Sequence, residues 1–157
     1  MSGITDDPND PRLTRGGVDQ QARPQADVYL VLSEAERGKG YVRPLRRVYV
    51  HVGRPPPRYA LRDLTVEEIE RHGARYIKYE SYPASEAPQL VRYWTQADFD
   101  AVRGCGAATT MGYALAETYA RQPGFYGATY CVGCERHRPV GADGEFVWDG
   151  TTERVGT

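Results

Sequence analysis

Cysteine, net charge and uninterrupted apolar sequence are all scarce in this chain. Of its 157 residues only Cys105, Cys131 and Cys134 are cysteine. An odd number, with two thiols close together in sequence, does not build a disulfide framework and favours a reducing cytosol. No apolar run reaches the roughly 18 residues of a membrane span, and no charged-then-apolar leader opens the chain, so neither membrane spanning nor secretion is expected. Lys and Arg total 20 against 21 Asp and Glu, for a net charge of −1. That balance supplies no overall field for nucleic acid. Hydrophobic residues make up 40%, below the usual globular share, while 17 glycines and 11 prolines imply many turns. A core this lean gains from a metal staple.

What is present is concentrated at Cys131-Val132-Gly133-Cys134-Glu135-Arg136-His137. A tight turn carrying Cys-x-x-Cys aims both sulfurs at one point, as a tetrahedral Zn²⁺ needs, and Cys105 adds a third thiolate. Gly106 suits a knuckle whose backbone turns sharply behind Cys105. The fourth ligand is a histidine. His137 is nearest in sequence. His51 ends a strand, where the first ligand of a second knuckle would sit, and is favoured; His137 is then a ligand or a neighbour that orients one. His72, at the end of a surface helix, is expected in solvent. A redox Cys-x-x-Cys would open a helix, but Pro139 and Gly141 come soon after it here.

An open, catalytic zinc would need a free coordination position and a carboxylate acting as general acid or base. Neither His-Glu-x-x-His nor the deaminase pairing of His-x-Glu with Pro-Cys-x-x-Cys is present, and Gly-x-Ser-x-Gly, Walker and dinucleotide fingerprints are missing as well. Glu117 and Glu135 are the carboxylates nearest the ligands in sequence. Glu117 falls on the exposed side of its helix, where a salt bridge is its expected job. The balance leans away from an enzyme.

Along the chain, residues 1–25 are rich in Asp, Pro, Arg, Gly and Gln and are expected to form a disordered tail. Val28–Leu32 reads as a strand, and Ser33 to Glu36 as a capping box opening a short helix. From Arg47 to Val52 the residues alternate, with Val48, Val50 and Val52 on one face and Arg47, Tyr49 and His51 on the other, as in a half-buried strand. Gly53 and Pro55-Pro56-Pro57 end it. Residues 54–103 read as an α+β insertion, with a capping box at Thr65, a short helix capped at Thr95 and a strand over Arg75–Glu80. Its aromatics Tyr79, Tyr82, Tyr93 and Trp94 read as packing. Thr110 is expected to cap the main helix, Met111 to about Gln122, with Met111, Leu115 and Tyr119 at four-residue spacing. Strands are expected at Tyr126–Cys131 and Glu145–Trp148, and residues 151–157 read as a tail.

Arg43, Arg46 and Arg47 lie close together, and Arg136 and Arg138 flank His137. They are the candidates for a nucleic-acid patch on an otherwise balanced surface, with Tyr126 and Tyr130 near enough to stack on bases.

A wider set of residues resembles a family of small hypothetical proteins encoded by tailed phages and prophages. It comprises Ser33-Glu34-Ala35-Glu36-Arg37, Tyr41-Val42-Arg43-Pro44, Tyr49-Val50-His51, Cys105-Gly106, Thr110-Met111, Ala116 to Arg121, Pro123, Phe125-Tyr126, Thr129, Cys131, Cys134, His137, Glu145-Phe146 and Trp148. The match covers about 30–52 and 104–157. In that family a His-x-x-Cys-Gly knuckle runs uninterrupted, which implies His51 and Cys105 as one ligand pair opposite Cys131 and Cys134; here residues 52–104 stand between them. The resemblance implies a phage origin and a zinc-ribbon-like core and carries no established activity. The expected fold is therefore α+β: short antiparallel strands with one main helix over 26–53 and 104–150, plus the 54–103 insertion. The expected protein is a phage accessory factor of the bacterial host cytosol. It would hold a structural Zn²⁺ and bind a host or phage protein, with nucleic acid as the alternative partner.

Overall fold

A computed structural model of the chain describes residues 3–11, 30–85 and 92–157. In chain order the elements are β1 (Ile4–Thr5), β2 (Val31–Leu32), α1 (Glu34–Arg37), β3 (Val48–His51), β4 (Leu61–Asp63), α2 (Val66–His72), β5 (Lys78–Glu80), β6 (Tyr93–Trp94), α3 (Gln96–Ala101), β7 (Ala108–Thr110), α4 (Tyr113–Arg121), β8 (Ala128–Cys131), β9 (Arg136–Pro139) and β10 (Phe146–Trp148). The fold is α+β. Two compact units divide it: residues 1–54 with 104–157, and residues 55–103.

In the first unit, β3 is the middle strand of an antiparallel sheet ordered β10–β3–β7. Its alternation decides what faces inward: Tyr49 and His51 are buried, while Val48 and Val50 are half-buried and Val52 is exposed. The side that carries the valines is thus the wetter one, because Tyr49 has aromatic partners to meet. Its ring stands edge-on to Phe146 at 5.3 Å and to Trp148 at 6.4 Å. Its hydroxyl donates to the Tyr130 carbonyl at 2.5 Å and accepts from Thr129 Oγ1 at 3.2 Å. The β8–β9 hairpin is thereby bolted to the sheet. Met111, Leu115, Ala116, Tyr119, Cys131 and Val155 complete this core.

The main helix starts later than expected. Thr110 pairs with Val48 in the β3–β7 ladder, and the Met111 N–H donates to the Arg47 carbonyl at 2.8 Å. Both residues are consumed by the strand, so Gly112 caps α4 without a side-chain bond. Met111 is still buried, but ahead of the helix. Thr118 Oγ1 donates back to Ala114 O at 2.7 Å and accepts from the Leu32 N–H at 3.2 Å, holding β2 against α4.

Both expected tails carry structure in their described parts. Ile4 and Thr5 pair in parallel with Val31 and Leu32. Buried Thr5 donates to buried Asp10 at 2.6 Å. A polar lead can order in this way because strand pairing draws on the backbone, which composition does not weigh. Residues 12–25 of that lead, and Val28 and Tyr29 of the expected strand, lie outside the described residues. At the other end Val155 is fully buried; its N–H donates to Phe146 O at 3.1 Å, and Trp148 N–H donates to Glu153 O at 3.0 Å. Residues 151–157 are docked beside β10, with Val155 as the apolar anchor.

The second unit has an antiparallel sheet ordered β4–β5–β6. Thr65 and Thr95 each take part in a reciprocal capping box, with Glu68 and Asp98. Trp94 is buried against Phe99, as packing requires. Buried Glu80 accepts from the Arg58 and Tyr59 N–H groups at 2.7 and 3.3 Å, securing the turn after the proline run. His72 is not bathed in solvent: it is half-buried, its ring 4.4 Å from that of Tyr93.

Gly104 lies where two backbones nearly touch. A Cβ there would stand 2.0 Å from the His51 carbonyl oxygen, whereas one at Gly124 meets nothing within 4 Å. Gly104→Ala is expected to destabilise the chain by about 1–3 kcal/mol or more, as overpacking against unyielding backbone does. Gly124→Ala should leave the denaturation midpoint nearly unchanged, and chemical denaturation of the pair checks the contrast.

Candidate metal centre

Four chain segments meet at one point. His51 is the last residue of β3, Cys105 sits in the stretch leading into β7, Cys131 ends β8, and Cys134 lies in the turn before β9. His51 Nδ1 is 3.3 Å from Cys105 Sγ and 3.4 Å from Cys134 Sγ, and the Cys105 and Cys131 sulfurs are 3.4 Å apart. All four donor atoms lie within 4.8 Å of one another. A tetrahedron drawn with Zn–S and Zn–N bonds of about 2.0–2.3 Å has edges of about 3.5–3.8 Å, so these spacings suit a metal ion at the centre.

The two ligand-bearing turns close alike. In the turn after β8 the Glu135 N–H donates to the Cys131 carbonyl at 2.8 Å, and across the insertion the Gly106 N–H donates to the His51 carbonyl at 2.9 Å. The residue behind the second ligand has positive φ in both: 57° at Glu135 and 77° at Gly106. His51 and Cys105 thus form a knuckle of the same kind as Cys131 and Cys134, although residues 52–104 separate them in sequence. Gly133 keeps the turns close, since a Cβ on it would stand 2.7 Å from Cys105 Sγ. Thr109 Oγ1 in β7 accepts from the Val132 N–H at 3.1 Å, tying one turn to the other.

Glu145, just ahead of β10, is the functional residue that sequence spacing missed. It is buried, with one carboxylate oxygen 2.8 Å from His51 Nε2, and Arg138 grips it at 2.7 and 3.1 Å. Burial works against charge on Glu145, but His51 and Arg138 outweigh it and hold the carboxyl below its ordinary range. An ionised carboxylate only accepts, so Nε2 carries the proton and the Nδ1 lone pair faces the sulfurs. The Glu145 bond raises the His51 pKa against the opposing effect of burial. A carboxylate behind a ligating histidine is a common orienting arrangement in metal sites. The only clue in the sequence was an acidic residue at the start of a buried strand.

The three thiols divide their protons unequally. At Cys105 burial opposes ionisation, yet the Ala107 N–H, His51 and the neighbouring thiols bring it down to about 7. Burial, then its sulfur neighbours, push Cys134 up to about 12, and burial raises Cys131. Three thiolates converging on one spot without a cation repel one another, so two stay protonated. A divalent cation would remove that conflict.

The other nominated residues are not gathered here. His137 is buried on β9 with its ring 5.6 Å from that of Tyr130. In the hairpin register it opposes Tyr130 while Arg136 opposes Cys131, so strand alternation turns it to the face away from Cys131. Among the described residues the ligand group is His51, Cys105, Cys131 and Cys134. Glu117 takes Arg37 at 3.0 Å and the Tyr41 hydroxyl at 2.5 Å. The arginines are dispersed by their partners. Arg138 is engaged with Glu145, Arg46 pairs with Glu153 and lies over Trp148, and Arg47 donates to Met111 O and covers Tyr113. Arg43 donates to the Thr157 carbonyl, while Arg136 is exposed on β9. Tyr126 donates to Leu30 O and packs on Tyr119.

Comparison with protein-family models, with curated proteins and with solved structures returns no match to this chain.

Glu145→Ala strands the Arg138 guanidinium and the buried His51 ring together. Removing one partner of a buried ion pair typically costs about 3–5 kcal/mol, and a loss of this size is expected in denaturant titration. In the folded protein Cys105, the exposed thiol, should be alkylated by iodoacetamide ahead of buried Cys131 and half-buried Cys134. Time-resolved peptide mapping reads the order.

Proposed function

We propose that His51 Nδ1 and the sulfurs of Cys105, Cys131 and Cys134 hold one structural Zn²⁺, and that the chain is a metal-stapled accessory factor that binds a macromolecule, a protein partner first. The observation that carries this reading is the convergence of four protein donors, one of them oriented from behind by Glu145. Three thiolates and an imidazole match the ligand preference of zinc. Four protein ligands fill a tetrahedral shell and leave no position for water or substrate, which favours a structural over a catalytic ion. The β8–β9 hairpin, tied to the β10–β3–β7 sheet through Tyr49 and Thr109 and bearing one knuckle while the sheet bears the other, supports a zinc-ribbon-like core.

The phage origin and host-cytosol setting rest on the sequence resemblance, and a host or phage protein as partner rests on the charge. A net charge of −1 and arginines already engaged inside the fold leave little for phosphate contacts. Nucleic-acid binding is the second reading. It requires affinity that falls steeply with salt, and a flat or absent response retains the protein partner.

Purified protein is expected to carry one zinc per chain, and Co²⁺ in its place should give the strong visible absorption of a tetrahedral thiolate site. EDTA should abolish cooperative melting, because in small modules zinc contributes about 10–16 kcal/mol to folding. Affinity should fall as pH drops, since protons compete for the thiolates. Metal-free protein with melting indifferent to EDTA would sink the reading. Glu145→Gln is expected to keep the stoichiometry but weaken zinc binding about 10–100-fold in a chelator competition.

A further inference from the structure

The three sulfurs of the metal centre are unequally placed towards solvent. Cys105 is exposed, Cys134 is half-buried and Cys131 is fully buried. Oxidants therefore reach one sulfur first, and that sulfur already lies 3.4 Å from Cys131 Sγ. The pair belongs to different knuckles, and Cys131 is packed within the core beside Phe146 and Trp148. With all three sulfurs held as thiolates by zinc, access decides which one reacts, and access singles out Cys105 as the point of attack.

We infer that the centre is a peroxide-sensitive switch in which Cys105 and Cys131 join as a disulfide and release the metal. The inference rests on the structural-zinc reading above. The Cys105 thiolate attacks the O–O bond of a hydroperoxide, taking one oxygen as sulfenic acid while the other leaves as hydroxide. The Cys131 thiolate then attacks the Cys105 sulfur, the S–S bond forms, and the sulfenic oxygen departs as hydroxide. Two thiolates are oxidised, one hydrogen peroxide is reduced, and two protons convert the hydroxides to water. Zinc keeps only Cys134 and His51, half a tetrahedral shell, and dissociates.

Which sulfur Cys105 joins decides the state of the oxidised chain. A bond within Cys131-x-x-Cys134 would close one turn upon itself and leave the other knuckle untethered. A bond from Cys105 to Cys131 crosses between the turns along the line now spanned by the metal. The first unit then retains a covalent staple where the ion had been, and it sheds zinc without separating the two ligand-bearing segments. Thiol reductants with free zinc would restore the original state, because the disulfide step is reversible whereas oxidation beyond sulfenic acid is not.

The test uses the full chain loaded with one equivalent of Zn²⁺, verified by metal analysis, and treated with hydrogen peroxide. Zinc release is monitored with a chromophoric chelator and disulfides are mapped by non-reducing digestion. The expected result is release in step with a Cys105–Cys131 crosslinked peptide, one thiol remaining at Cys134, and recovery with dithiothreitol and zinc. A Cys131–Cys134 bond, a Cys105 bond between chains, or zinc retained under peroxide overturns the inference while leaving the structural-zinc reading intact. A chain that takes up no zinc overturns both. Cys105→Ser, if it still binds zinc, should release the ion about tenfold more slowly, having lost the accessible thiolate. If that variant fails to load, the disulfide map of the unaltered chain decides.

Discussion

Three thiols and one imidazole brought to a single point constrain the rest of the first unit. The three thiols would all be negative when ionised and cannot share a few ångströms without a counter-charge, and the uneven proton affinities of Cys105 and Cys134 express that conflict. The donors are held from behind. Tyr49 joins the sheet that carries His51 to the hairpin that carries Cys131, and Arg138 holds Glu145, which in turn holds the imidazole. Cys131 is itself a core residue. Through Cys131 the site and the core are one construction.

The same constraint explains how a large insertion is accommodated. The first knuckle is cut between His51 and Cys105, and the second unit occupies the cut. The two sides of the cut lie within hydrogen-bonding distance, because the Gly106 N–H reaches His51 O and Gly104 permits the backbone approach. Lengthening a loop whose ends already meet adds little closure entropy, on the order of 0.6 kcal/mol for each doubling. A folded insert with its own capped helices and its own sheet adds less still, since it is not a flexible coil.

Local signals were legible wherever chemistry is local. The caps at Thr65 and Thr95 and the helices they open depend on residues three apart, and each is present where its spacing predicts. Alternation in β3 was visible too, though not which face would be buried. Hydrophobicity points to the valines, whereas Tyr49 and His51 turn inward to partners on β10 and to the clustered thiols. Thr110 has the form of a helix cap but serves the β3–β7 ladder, a pairing with residues far away in sequence. The order in the polar lead and the short tail was hidden for the same reason: Ile4 and Val155 find backbone partners that composition does not count.

The sequence by itself determined the inventory: three thiols, few histidines, a lean core, no membrane-length apolar run, and a Cys-x-x-Cys turn whose geometry is set by its spacing. It also determined the punctuation, because Gly53, the proline run and Gly104 halt regular structure wherever they fall. Tertiary structure alone set His51, and not His137, among the three sulfurs, since that depends on which strand face each imidazole occupies and on which chain segments lie opposite. It decided Glu145 for the same reason. A carboxylate distant in sequence becomes the partner of a histidine only when two strands pair in register, and register is set by the buried aromatics of the whole sheet.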